Sequence, residues 1–315
     1  MSGPPDLIDS PVDAPPPEPT APAAPAAAPA KRRAAPAGRP APVTPNRSSV
    51  PAVAVRPRRT LSLATVNASE VGHRIVAYGP GGVGKTTLFA SMPGPVAIVD
   101  LDESLARLRA KLIAFELIGN IREVENVKTW LDLRDTLNGD GWDGVKSIVI
   151  DTGTKAEELA TAHLLETKPT DKGVKAESLE DYGYTKGEQF MYEEFNKLLS
   201  DMDAHARVGR NVALITHECN SRVPNPAGQD WVRFEPRLQN GRDGKNSIRL
   251  RVKEWCDHLL FIGYDVAVAK GKATGGGSAK VYPRELPHFM AKSRTLIEPI
   301  GLEKCFEELW PKMLG

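Results

Sequence analysis

The chain has 315 residues, a formal net charge of +1 and 41% hydrophobic residues, enough for one large globular domain or two small ones. Near-neutral charge carries no global signal for nucleic acid, so such an interface must come from a local patch. Cys219, Cys256 and Cys305 are too scattered for a disulfide framework, and no apolar run approaches about 18 residues. The start lacks the basic-then-apolar layout of a signal peptide, so a soluble, cytoplasmic protein is expected.

Residues 1–60 differ from the rest. Half are Pro or Ala, aromatic residues are absent, and basic clusters stand at Lys31-Arg32-Arg33 and from Arg56 to Arg59. Such a segment cannot bury enough apolar surface to offset its chain entropy, and a disordered tail without chemistry is expected. Over residues 61–315 strand and helix signals alternate, which predicts one α/β domain with a mostly parallel central sheet flanked by helices.

Residues 73–78 read as a strand and 86–92 as a helix stopped by Pro93-Gly94-Pro95. Between them Gly79, Pro80, Gly81, Gly82, Val83, Gly84, Lys85 and Thr86 satisfy G-x-x-x-x-G-K-[ST], the P-loop pattern, and Thr87 follows. The glycines let the backbone curl so that its N–H groups converge on a phosphate, and the helix N-terminus adds its dipole. Lys85 is expected to reach the β- and γ-phosphates and the Thr86 hydroxyl to ligate Mg²⁺. ATP and Mg²⁺ are the predicted ligands.

A second buried strand is predicted over 95–100, ending in Asp100-Leu101-Asp102-Glu103. Helices follow over 104–112 and 127–137. Residues 145–152 form a β-branched run ending at Asp151. Helices are expected over 155–166 and 188–207, the latter with Phe190, Met191, Phe195, Leu198, Leu199 and Met202 on a stripe read as core. Residues 211–217 read as another buried strand and 218–250 as a polar loop. Strands over 259–269 and 279–282 predict a hairpin across Gly275-Gly276-Gly277, and 302–313 a closing helix.

Ligands of an open parallel sheet gather at the carboxyl ends of its strands, here Gly79, Asp100 to Asp102, Asp151 and Thr216-His217. The apolar run before Asp151 makes it the candidate Mg²⁺-side acid; its alternative is a helix cap. Asp102 or Glu103 could deprotonate the attacking water, or cap the following helix. His217 could sense the γ-phosphate. His217-x-Cys219 and Cys256-x-His258 could together form a zinc site, although their spacing is unusual for one.

Local charge stands out from residue 218 onward. Arg222, Arg233, Arg237, Arg242, Lys245 and Arg249 stand with Trp231 and Phe234 interleaved. Cations that track a backbone and rings that stack on bases are what single-strand binding requires, so single-stranded DNA is the predicted partner.

This order of parts resembles the RecA-like core. It is most similar to the phage-encoded RecA-like P-loop ATPases, AAA-type ATP-binding proteins linked to single-strand annealing recombination. Further echoes are Tyr182-Gly183-Tyr184, Phe234-Glu235-Pro236-Arg237-Leu238 and Val252-Lys253-Glu254-Trp255-Cys256-Asp257. The resemblance covers roughly residues 70–300 and implies a DNA-stimulated ATPase of phage recombination or repair, acting in the host cytoplasm. By position it puts Asp102 in the place of the RecA catalytic glutamate and His217 in that of the glutamine coupling nucleotide to DNA. Residues 218–248 then stand for the second DNA-binding loop. Asp for Glu and His for Gln depart from the pattern. The resemblance also implies a homo-oligomer, ring or filament, completed by a cation from the neighbouring subunit, with Lys253, Lys292 and Arg294 as candidates. A single-strand-binding or annealing protein is a further implied partner. Two alternatives are a ParA-like partition ATPase, whose signature lysine is replaced by Pro80, and a P-loop small-molecule kinase using residues 218–251 as a lid.

Overall fold

The structure, a computed structural model, describes residues 71–225, 227–269 and 272–315. The Pro/Ala-rich tail expected over 1–60 and the domain boundary at 61 lie outside those residues. In chain order the elements are β1 (Arg74–Gly79), α1 (Lys85–Phe89), β2 (Val96–Asp100), α2 (Leu105–Ala114), β3 (Ile121–Glu123), α3 (Trp130–Asn138), β4 (Ser147–Asp151), α4 (Gly153–Thr167) and α5 (Lys186–Arg207). They continue with β5 (Asn211–Val223), β6 (Trp231–Pro236), α6 (Ile248–Trp255), β7 (His258–Ala269), β8 (Lys272–Tyr282), β9 (Ile300–Gly301) and α7 (Leu302–Leu314).

The strands form one sheet in the order β3-β2-β4-β5-β1-β7-β8-β9, with β6 paired to the outer part of β5. The first six in that order run parallel. Among the described residues the antiparallel strand pairs are β5–β6, β7–β8 and β8–β9. The central strands are continuous apolar runs because both of their faces are covered. Val76, Tyr78, Ile148, Ile150 and Leu214 pack against one helical layer, which includes Trp130 and Leu133 of α3, Phe195 and Leu198 of α5 and Val252 of α6. Ile75, Ala77, Ile98, Val149 and Ile215 face the other layer, with Leu88 of α1, Leu105 of α2 and Trp310 of α7. Phe195 and Leu198 are fully buried, and each such side chain contributes about 1.5–3 kcal/mol by leaving water. No helix among the described residues is long and apolar enough to cross a membrane.

The mostly parallel sheet with flanking helices is therefore as expected, and three local expectations change. Residues 218–250 are not one polar loop: β5 runs on to Val223 and turns back as β6, and α6 starts at Ile248. Ala269 of β7 already pairs with Lys272 of β8, so the expected crossing at Gly275-Gly276-Gly277 is displaced; those glycines lie within β8 beside a register shift, with Gly277 at a φ of 71°. The edge strand β3 was not expected from sequence, since Ile121-Arg122-Glu123 is short and mostly charged.

Candidate functional site

The sheet register sets the candidate residues in a row. Gly79 of β1 stands opposite His217 of β5, Asp100 of β2 opposite Asp151 of β4, and Asp151 opposite Ile215. Gly79 is required by close approach, because a Cβ there would lie 2.0 Å from the carbonyl oxygen of Ile262 on β7. Gly82 (φ 77°) and Gly84 (φ 106°) take left-handed backbone that other residues rarely adopt, and this curls the loop from Gly79 into α1.

Lys85 is buried, and its Nζ donates to the carbonyl oxygens of Gly79 and Pro80, both at 2.8 Å. Burial lowers its pKa, against the attraction of Asp151, Glu218 and Asp102. The Thr86 hydroxyl donates to Asp151 Oδ2 at 2.6 Å. Burial pushes the Asp151 carboxyl up to about 6, while the Thr86 hydrogen bond pulls the other way. Asp151 does not cap α4: Thr152 does, accepting from the Lys155 N–H at 3.2 Å.

Asp102 faces the same space. His217 Nε2 lies 3.5 Å from its Oδ2, and this contact holds the Asp102 carboxyl below its ordinary value despite partial burial. The cap at the start of α2 is Asp100, which accepts from Leu105 N at 2.7 Å and from the Ser104 hydroxyl. The capping alternative for Asp102 and Glu103 thus lapses. Glu103 is exposed with a left-handed φ of 53°, and it does not line the cavity.

A cavity of about 300 Å³ joins these groups, lined by Gly81, Gly82, Gly84, Lys85, Thr86, Thr87, Asp102, Asp151 and His217. Two lining cations escaped the sequence reading, Arg107 and Lys111 of α2. Their spacing of four residues, which places both on one helix face, was the available signal. The two hard oxygen donors at the cavity, the Thr86 hydroxyl and the Asp151 carboxylate, suit Mg²⁺.

The zinc alternative fails on register. His258 pairs with Ile75 and His217 with Gly79, four residues further along β1, so the two pairs stand about 13 Å apart along the sheet.

The basic residues divide by environment. Arg222, Trp231, Arg237, Arg242 and Lys245 are exposed. Arg233 and Arg249 are corrections to the expected DNA-facing set. Arg249 is 7% exposed, and its guanidinium bonds Glu235, Ser221, Cys219 and the Leu238 carbonyl beneath the β5–β6 hairpin. Arg233 pairs with Glu235 and Glu285. Phe234 turns inward, stacked on Phe261 at 5.5 Å. Of the subunit-contact candidates, Lys292 Nζ is engaged by the carbonyls of Lys253, Glu254 and Cys256, and Lys253 pairs with Glu285. Arg294 pairs with Asp257 at 2.9 Å and keeps 65% of its side chain exposed.

No curated protein matches this chain in sequence. Among solved structures it is similar to a KaiC-like protein of the hyperthermophilic archaeon Pyrococcus horikoshii, with 14% identity and a TM-score of 0.38 over 73% of this chain and 85% of that one. It is also similar to the RadB recombinase, with 14% identity and a TM-score of 0.39 over 68% of this chain and 80% of that one. Residues 72–295 match the AAA domain family AAA_24, and with well over half of its length matched the chain belongs to that family of P-loop ATPase domains.

Proposed function

We propose that this protein is an ATPase whose turnover is stimulated by single-stranded DNA, acting in phage recombination or repair in the host cytoplasm. The observation that carries the reading is the convergence of Lys85, Thr86, Asp151, Asp102 and His217 on one cavity, with His217 leading directly into the hairpin that carries the exposed Arg222. ATP would lie with its phosphates against the curled backbone of residues 79–86. Lys85 would exchange its two carbonyl partners for phosphate oxygens, the stronger acceptors for a buried cation. Thr86 and Asp151 would hold Mg²⁺, which supplies charge neutralisation as the terminal phosphoryl group leaves. Asp102, kept ionised by its His217 contact, is placed to orient and deprotonate a water.

His217 is the coupling residue in this reading. A phosphate arriving beside Asp102 competes for the His217 imidazole, and the same strand carries the change to Arg222. Arg237 is tied to the site more directly, because its backbone N–H donates to the His217 carbonyl at 2.9 Å. A homo-oligomer, ring or filament, would present Arg294 to a neighbouring site, since its side chain stays 65% exposed against 27% for Lys253, and Lys292 is held by three carbonyls. A single-strand-binding or annealing protein would act beside it.

Steady-state ATP hydrolysis with and without single-stranded DNA tests the proposal. Stimulation by DNA is expected, and Lys85→Ala should abolish turnover in both conditions. Hydrolysis indifferent to DNA, with no DNA retained at low salt, would remove the DNA reading and turn attention to small-molecule acceptors.

A further inference from the structure

Beside the P-loop lies a second cavity, of about 600 Å³, which shares no lining residue with the nucleotide cavity. Pro80 forms one edge, and the hairpin contributes Glu218 and Phe234. Phe261, Gly263, Tyr282, His288 and Phe289 complete the wall. Phe261 lies close to parallel with three neighbours, while Tyr282 and Phe289 are tilted 47° to each other. Phe261 makes interplanar angles of 11° with Phe234, 24° with Phe289 and 28° with Tyr282. Tyr264 stands at the rim and is 49% exposed.

Two polar features narrow the occupant. The Glu218 side chain makes no hydrogen bond or close ion pair to any described residue, although the Lys85 charge acts on it, and it is half-buried on the cavity wall. A carboxylate there repels phosphate and accepts from an N–H, which every nucleobase offers on its pairing edge. The strand register supplies the second feature. Asn220, Arg222, Val232 and Phe234 share one face of the hairpin with Glu218, because directly opposed residues of an antiparallel pair point the same way. Arg249 closes the opposite face. The open face therefore runs from the aromatic cavity outward to the exposed cation Arg222.

We infer that this cavity holds an unpaired nucleobase of a single strand, packed against the Phe234 and Tyr282 rings beside Tyr264 at the rim, with a pairing-edge N–H donated to Glu218. The phosphates of that strand leave along the Arg222 face of the hairpin. The inference rests on the DNA reading above and names the place where a base is gripped. Because Pro80 of the P-loop lines the cavity, a base seated there lies against the same loop that would hold the phosphates.

The test is photo-crosslinking of the full chain to an oligothymidylate carrying one 5-iodouracil, with Mg²⁺ and a non-hydrolysable ATP analogue, followed by peptide mapping. The crosslink is expected on Phe234, Tyr264 or Tyr282. Tyr264→Ala, at the rim where folding is least at risk, should weaken oligothymidylate affinity about tenfold, as expected for loss of one stacked base, and leave the affinity for a fluorescent ATP analogue unchanged. Phe234→Leu, which keeps an apolar side chain of similar bulk, should move DNA affinity in the same direction. Crosslinks confined to other peptides, with wild-type affinity in both variants, would overturn the cavity assignment and leave the DNA reading standing. Loss of ATP-analogue affinity in Tyr264→Ala would overturn it in favour of the adenine ring, and a changed sedimentation coefficient at unchanged DNA affinity in favour of a second copy. An absence of any oligothymidylate binding at low salt would bring down the DNA reading itself, and the inference with it.

Discussion

Lys85 and Arg249 are both buried cations, and their surroundings give them different work. Lys85 Nζ rests on two backbone carbonyls, neutral partners that it can leave for a phosphate. Arg249 meets the Glu235 carboxylate in a buried pair, with Ser221 and Leu238 satisfying further N–H groups. Arg249→Ala leaves Glu235 with Arg233 and removes the bonds to Ser221 and the Leu238 carbonyl, so unfolding free energy should fall by about 1–3 kcal/mol in denaturant titration. DNA affinity of the folded variant should stay near wild type, which an outward-facing cation would not allow. Glu157 offers a pH test. Burial pushes its carboxyl up to about 7 although the Gln239 N–H donates to it at 2.7 Å. The unfolded chain releases this proton near the ordinary value of 4.5, so between 4.5 and 7 folding takes up a proton. Stability from this group is therefore lost as pH rises through that window. Glu157→Gln should raise stability at pH 8 by on the order of 1–3 kcal/mol and change little at pH 4.5, read from thermal melts at both values.

The element that joins the two halves of the account is β5. Its first part, up to His217, is a buried parallel strand; beyond it the same strand pairs only with β6 and rises out of the sheet. The apolar run ending at Ile215 made the first part legible. The second part alternates polar and mixed residues, and Pro224 and Gly228 at its turn gave the appearance of a loop. The alternation has a physical reason: Cys219, Ser221 and Glu235 serve Arg249 on one face, and the other face opens to solvent. A composition count over 218–251 finds seven Lys or Arg against four acids and cannot tell the inward Arg249 from the outward Arg222. Exposed cations on this hairpin should govern salt dependence. Arg222→Ala together with Arg237→Ala should weaken single-strand binding and reduce the slope of log affinity against log salt by about 1 to 2, with ATP affinity unchanged. An unchanged slope would take these side chains off the DNA path.

At the scale of the molecule, strand order does the positioning. β5 lies between β1, which carries the P-loop, and β4, which carries Asp151, so His217 stands between the phosphate loop and the Mg²⁺-side acid. The glycine pattern, the run before Asp151 and the apolar strand before His217 announced these parts separately in the sequence. Their neighbourhood was not legible there, because pairing β4 with β5 and β5 with β1 is a long-range choice made by packing both sheet faces. Arg107, Lys111 and the aromatic cavity stayed hidden for the same reason: their residues come from α2, β5, β6, β7 and β8, and only the fold brings them together. The central claim is that nucleotide and DNA sites are coupled through His217, and coupling is reciprocal, so it can be read from either ligand. The most direct measurement is single-stranded DNA affinity with and without a Mg²⁺-bound, non-hydrolysable ATP analogue, in wild type and in His217→Ala. The account predicts that nucleotide changes DNA affinity about 5- to 150-fold in wild type. In His217→Ala it predicts that both ligands still bind and the difference disappears. Equal DNA affinity with and without nucleotide in the wild-type protein would contradict it.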